Sequence, residues 1–370
     1  MKFSISREQL LQPLQSISGA VEKRQTLPIL SHLYINVSDE NRLTIIGTDL
    51  EVEIKITLPL ENKATAGTTT IPARKFLDLS KALNDQSLIN VDIKENRATV
   101  RSGKSRFTLS TLPADEFPRV DDISEIASVG ELSQGTLKKL LQKTQFSMAM
   151  QDVRYYLNGL LLELEQNNIR FVATDGHRLA YASYSSEENY GEKKQIIIPR
   201  KAVQELLRLL DDSDSLVQLR IGNNHLQASV GDITMTTKLI DGRYPDYNRV
   251  IPREGNRTLV VEKNEFSNAI SRVSILSNEK YRGIRMSMKE DLVEIHANNP
   301  EQEEAEEELS VQYSGEPMEI GFNSAYMVDA LAALDNNDVS IYFIDENSSS
   351  LIHTQVDQEE YKFVVMPMRL

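Results

Sequence analysis

The string Thr174-Asp175-Gly176-His177 sets a carboxylate two residues from an imidazole, a spacing that could make an acid-base pair. Acid-base chemistry needs further groups to position and activate the pair, so a turn at the end of a strand is the better reading. The five histidines, His32, His177, His225, His296 and His353, lie scattered without metal-ligand spacing. No glycine-rich loop of the Walker or dinucleotide type is present. There is no cysteine to serve as nucleophile, disulfide partner or thiolate ligand. Catalysis is therefore not expected, and neither is a metal or a cofactor.

The charged residues carry more information. The formal net charge is -14, the opposite of what a free-standing nucleic-acid binder usually shows, because affinity for phosphate comes from local cations. Positive charge is nevertheless gathered on helical patterns: Arg74, Lys75 and Lys81 against Asp78; Lys138, Lys139 and Lys143; Arg200, Lys201 and Arg208 against Glu205. Helices of this kind sharing one side would make a basic face in an acidic body, able to hold phosphate at short range. The run from Glu301 to Glu308 carries six carboxylates in eight residues. Such blocks are commonly solvated surface, but this one also complements the basic hairpin Arg97, Arg101, Lys104 and Arg106, as head-to-tail association of two copies would require.

These charges sit on a repeated plan. A chain of 370 residues exceeds one ordinary core, and three markers recur about 125 residues apart. Ile71-Pro72-Ala73-Arg74-Lys75-Phe76 returns as Ile198-Pro199-Arg200-Lys201-Ala202-Val203 and, loosely, as Ile320-Gly321-Phe322-Asn323-Ser324-Ala325. Each reads as a strand running into a helix, with the prolines in the first helical turn and Asn323 as cap. Thr48-Asp49 returns as Thr174-Asp175 and as Asn298-Asn299. A hairpin closes each copy, turning at Ser102-Gly103, Gly231-Asp232 and Asp357. Each copy is expected to open with a helix, the first capped by Ser6 and Gln9, with Pro13 kinking or shortening it. The fold class is α+β, three repeated domains of antiparallel sheet plus two helices each, at residues 1–125, 126–252 and 253–370. With 40% hydrophobic residues, no apolar run of membrane length and no signal-like start, a soluble cytoplasmic protein without membrane association is expected.

Several strings, Gln151 to Gly159, Ala173 to Ala180, Leu276 to Lys280, Asn298 to Glu307 and Val364 to Leu370, resemble those of the bacterial DNA polymerase III beta subunit, the beta sliding clamp family. The likeness runs from Met1 to Leu370. It implies a homodimeric ring of six domains (the DNA-clamp fold) around double-stranded DNA, non-catalytic, acting as processivity factor. It implies that Arg24, Gln151, Tyr155, Tyr156 and Lys201 approach DNA without base readout; the charge pattern adds Lys138, Lys139 and Lys143. It also implies a cleft that takes short peptides from replicative polymerase, clamp loader and repair polymerases. The matching positions are Leu157, Thr174, Gly176, His177, Arg178, Leu179, Pro245, Arg249, Val250, Ser350, Val364, Met366, Pro367, Met368 and Arg369. At the dimer edge it points to Phe107 and Leu109 against Ile275 and Leu276, ringed by Lys75, Arg97, Lys104 and Arg106 facing Glu301, Glu303, Glu304 and Glu307. Asn248 stands where the family pattern has arginine. The competing reading is a peptide-binding scaffold that never encircles DNA, and the basic helices weigh against it.

Overall fold

The structure is a computed structural model that describes residues 1–21, 27–120 and 127–369. The first repeat runs β1 (Lys2–Ser6), α1 (Arg7–Ile17), β2 (His32–Val37), β3 (Arg42–Thr48), β4 (Val52–Pro59), β5 (Gly67–Pro72), α2 (Ala73–Ala82), β6 (Leu88–Lys94), β7 (Arg97–Ser102) and β8 (Ser105–Ser110). The second follows the same order: β9 (Ala127–Ser133), α3 (Gln134–Thr144), β10 (Gly159–Glu165), β11 (Asn168–Thr174), β12 (Arg178–Ser185), β13 (Lys194–Pro199), α4 (Arg200–Leu209), β14 (Leu216–Ile221), β15 (His225–Val230) and β16 (Ile233–Lys238). The third is β17 (Arg257–Glu262), α5 (Lys263–Val273), β18 (Gly283–Lys289), β19 (Leu292–Asn298), β20 (Glu304–Ser310), an extra short β21 (Gln312–Ser314), β22 (Met318–Asn323), α6 (Ser324–Ala332), β23 (Asp338–Phe343), β24 (Ser350–Val356) and β25 (Glu359–Val365). Among the described residues each repeat thus holds two α-helices and antiparallel strands, as the sequence pattern implies.

Three expectations need correction. A strand, not a helix, opens each repeat: in β1 Phe3 and Ile5 are buried while Lys2 is exposed, the period-two pattern of a half-buried strand. Pro72 and Pro199 close strands β5 and β13 instead of sitting inside the helical turn. Pro72 occupies the N-cap position, where its missing N–H breaks no helical hydrogen bond. Helix α1 continues through Pro13 to Ile17. Pro13 is itself buried beside Leu10, Leu14 and Ile17, so burial of this apolar stripe offsets the lost hydrogen bond. At its start the Ser6 side chain accepts from the Gln9 N–H while the Gln9 side chain accepts from the Ser6 N–H. Asn323 caps α6 by accepting from the N–H groups of Ala325 and Tyr326, and Glu262 does the same for α5.

The chain forms two compact units, residues 1–138 with 201–239 and residues 139–200 with 240–370. In the first unit, β4 of the first repeat pairs antiparallel with β16 of the second, making one sheet in the order β5-β2-β3-β4-β16-β15-β14-β9. A second sheet, β1-β6-β7-β8, completes it, and α1 packs on α2. In the second unit, β12 pairs with β25 of the third repeat in the sheet β13-β10-β11-β12-β25-β24-β23-β17-β21. Here β20-β19-β18-β22 is the companion sheet, and α5 packs on α6. Each unit is therefore built across a repeat junction by edge-to-edge strand pairing. Among the described residues no helix is long and apolar enough to cross a membrane.

Candidate functional site

The possible acid-base pair is a turn. Asp175 Oδ1 accepts the N–H groups of His177 and Arg178, and Oδ2 accepts from the Arg178 guanidinium at 3.1 Å. Thr174 Oγ1 donates to the Arg178 carbonyl and accepts the Gly176 N–H. The first repeat copies this: Asp49 Oδ1 accepts from Glu51 and Val52, and Thr48 Oγ1 bridges the Leu50 N–H and the Val52 carbonyl. Leu50 and Gly176 both adopt positive φ, 76° and 90°. At Asn298-Asn299 the turn is longer, closed by Glu303, whose N–H donates to the Asn299 side chain. The carboxylate of Asp175 is thus committed to backbone geometry. No group of three or more His, Asp or Glu able to hold a metal occurs among the described residues.

Around this turn lies an apolar cluster of Leu157, Leu161, Val172, Leu179, Ile197, Leu351 and Val364 with Tyr181, Tyr244 and Tyr247. Of the positions expected to line a cleft, Leu157, Leu179, Ser350 and Val364 are buried, with Ser350 Oγ donating to the Val365 carbonyl. The exposed members are Gly176, His177, Pro245, Arg249, Val250 and Met366, with Thr174 and Pro367 half-buried. The Met366 N–H donates to the His177 carbonyl at 2.9 Å, joining the final segment to the turn. Arg249 is paired with Asp246 at 3.0 Å, and Asn248 donates weakly to the same carboxylate. Arg178 is turned inward, bound to Asp175, Asp329 and the Phe146 carbonyl, with its side chain only 12% exposed. Met368 and Arg369 line a separate cavity of about 920 Å³ with Arg285, His296 and Glu319, because the Met368 N–H bonds the Gly321 carbonyl at the sheet edge.

Sequence reasoning missed Arg154, Tyr244 and Glu163. Arg154 bonds Asp152 and the Asp175 carbonyl. Its guanidinium covers Gly176 so closely that a Cβ there would approach it to 3.0 Å. The bond to Arg154 holds the Asp152 carboxyl well below the carboxylate range, at about 2. The Tyr244 hydroxyl accepts the Thr174 N–H, and burial pushes that phenol up. Glu163 is nearly fully buried; burial opposes its ionisation, but Lys193, Gln195, Tyr247 and Arg170 outweigh it and keep its pKa low. Spacing could not reveal Tyr244 or Glu163, whose partners include residues far along the chain, and the contact of Arg154 with the Asp175 carbonyl spans 21 residues.

Among the basic candidates, Lys143 is buried. It is 7% exposed, and its ammonium donates to Asp335 and the Ala333 carbonyl at 2.6 and 2.5 Å. Lys138 pairs with Asp212, Lys139 with Glu359 and Asp335, and Lys201 with Asp49. Arg74, Lys75 and Lys81 on α2 are exposed. Gln151 and Tyr155 are exposed and Tyr156 half-buried, in a segment that also exposes Met150 and Val153. Arg24 lies outside the described residues.

Strands β8 and β20 are end strands of their sheets. Along the first edge Lys104 and Arg106 are exposed, as are Arg97 on β7 and Lys75 on α2; Phe107 is half-buried and Leu109 buried. Along the second, Glu301, Glu303 and Glu304 are exposed, with Ile275 77% exposed and Leu276 half-buried. Glu307 differs from its neighbours. It is bound by Arg272 of its own α5, which holds its carboxyl low. Leu109 and Glu307 are therefore occupied inside the protomer.

Residues 1–121, 131–246 and 248–369 match the N-terminal, central and C-terminal domains of the DNA polymerase III beta subunit. The beta sliding clamps of Escherichia coli (strain K12) and Pseudomonas putida are 48% and 47% identical to this chain, with all of both chains covered in each case. A crystal structure of the DNA polymerase sliding clamp from Pseudomonas aeruginosa matches with a TM-score of 0.96 at 47% identity over all of both chains. A second, of the clamp from that organism bound to griselimycin, matches at 0.95 and 47%, again over all of both chains. With three matched domains in order and relatives aligned from end to end, the chain belongs to the DNA polymerase III beta subunit family, the beta sliding clamps.

Proposed function

We propose that the protein is a DNA sliding clamp: two copies close head to tail into a ring around duplex DNA and tether the replicative polymerase. The observation that carries the closure is the pair of open sheet edges of opposite charge, β8 with Arg97, Lys104 and Arg106 nearby and β20 with Glu304 and Glu306. An unpaired strand edge is a template for another strand. Two different edges on one chain make a heterologous contact that a ring satisfies. Apolar contact from Phe107, Ile275 and Leu276 holds the joint. The ion pairs set register, because exposed pairs contribute only ~0–1 kcal/mol each. The three clamp domains are residues 1–125, 126–252 and 253–370, and the protein works in the cytoplasm, without a catalytic step of its own.

Gln151, Tyr155, Tyr156 and Lys201, with Arg24, meet DNA through phosphate contacts. Base readout would arrest sliding. Polymerase, clamp loader and repair polymerases dock short peptides over the Leu157, Leu179 and Val364 floor, between the Thr174–His177 turn, Pro245 to Val250 and the Met366-Pro367 segment. The flexible thioether of Met366 adapts to different apolar side chains. Tethering raises the effective concentration of polymerase at the primer end, to on the order of millimolar for a short linkage. Deletion of Met366–Leu370 is expected to abolish stimulation of the replicative polymerase while light scattering still reports a dimer. Stimulation that survives the deletion would remove this segment from the site.

A further inference from the structure

Arg178 sits at the cleft, yet all three of its guanidinium nitrogens are engaged inside the protomer. Nε donates to Asp175 Oδ2 at 3.1 Å, Nη1 to Asp329 Oδ2, and Nη2 to the Phe146 carbonyl at 2.7 Å. The guanidinium also lies between two rings, 5.5 Å from the Phe146 centroid and 4.4 Å from that of Tyr326. Asp175 belongs to the turn at the cleft rim. Tyr326 and Asp329 belong to α6 of the next repeat.

The first repeat provides an internal comparison. At the matching turn, Val52 stands buried where Arg178 stands in the second repeat. Asp49 Oδ2 there accepts from Lys201 on α4. Both junctions tie an aspartate turn to a helix of the following repeat through an ion pair, but the polarity is reversed. In the first the helix supplies the cation; in the second it supplies the anion. The planar fork carries donors on three separate nitrogens and so reaches the turn, the helix and the Phe146 carbonyl together, where a lysine ammonium would offer a single nitrogen.

We infer that Arg178 is a positioning residue that couples occupancy of the cleft to helix α6. This rests on the cleft reading given above. The Met366 N–H is bonded to the His177 carbonyl, so a ligand that orders this rim also orders the turn whose Asp175 grips Arg178. Arg178 then transmits the constraint to Asp329. The coupling runs both ways, as linkage requires: loosening the α6 end weakens the cleft.

The test uses the full-length protein and griselimycin, with binding followed by calorimetry and hydrogen exchange followed over residues 324–332. Wild-type protein is expected to bind and, at saturation, to exchange more slowly in this helix. Asp329→Asn keeps the shape but removes the charge; it is expected to weaken binding about tenfold, in line with the worth of a charged hydrogen bond, and to abolish the slowing at saturation. Asp329→Glu is expected to restore both. An Asp329→Asn variant that binds as the wild type does, or that still slows at saturation, overturns the coupling. Wild-type protein that binds griselimycin no better than the form lacking Met366–Leu370 overturns the cleft reading, and the coupling with it.

Discussion

Arg154 anchors the exposed segment from Gln151 to Tyr156 to the turn beneath it, and Asp152 reports that anchorage. The Asp152 carboxyl titrates at about 2 in the folded protein, against ~3.9 for a free aspartate. A lowered folded pKa means the contact stabilises the folded segment above about pH 4 and is lost as pH falls toward 2. Carbon-13 titration of the carboxyl is expected to give a midpoint near 2, shifting toward ~3.9 in Arg154→Gln; a midpoint near ~3.9 in the wild type would show the anchorage absent. The Asp175 turn was legible in the sequence because aspartate and threonine bond backbone groups two to four residues away. Lys143 was not. Its partner Asp335 lies 192 residues further along the chain, so a lysine on a solvated helical pattern gave no sign of its burial.

At the scale of elements, charge placement inside the protomer matters as much as charge count. Helix α3 reads as strongly basic, yet Lys138, Lys139 and Lys143 each face a carboxylate. Lys139 and Lys143 also lie over the Tyr361 ring at 5.7 and 5.5 Å. These two lysines bind α3 to β25 and to the segment after α6, joining the second and third repeats. Lys143→Ala is expected to lower the stability of this unit by about 2 kcal/mol, the worth of its charged hydrogen bonds, measured by urea unfolding. A change below ~0.5 kcal/mol, as for an ordinary surface site, would mean that the network adds nothing to stability. Helix caps at Ser6 and Asn323 were readable because they are local. The opening strands β1, β9 and β17 were not, since each is short and pairs with a strand far along the chain: β6, β14 and β23.

For the whole molecule, the repeat was visible because three markers return at nearly one spacing. The way repeats join was not, because β4 with β16 and β12 with β25 are edge pairings that no local pattern encodes. This continuity leaves β8 and β20 as charged end strands, which the proposed ring joins between two copies. An acidic protein with net charge -14 gains little from binding DNA as a groove ligand, so in the proposed ring its hold on DNA comes from closure instead. The direct measurement is retention on nicked circular DNA at a salt concentration that screens phosphate contacts, before and after the circle is cut once. The protein is expected to remain on the circle and to be lost from the linear molecule by sliding off its ends. Equal retention on both, or equal loss from both, would contradict encirclement.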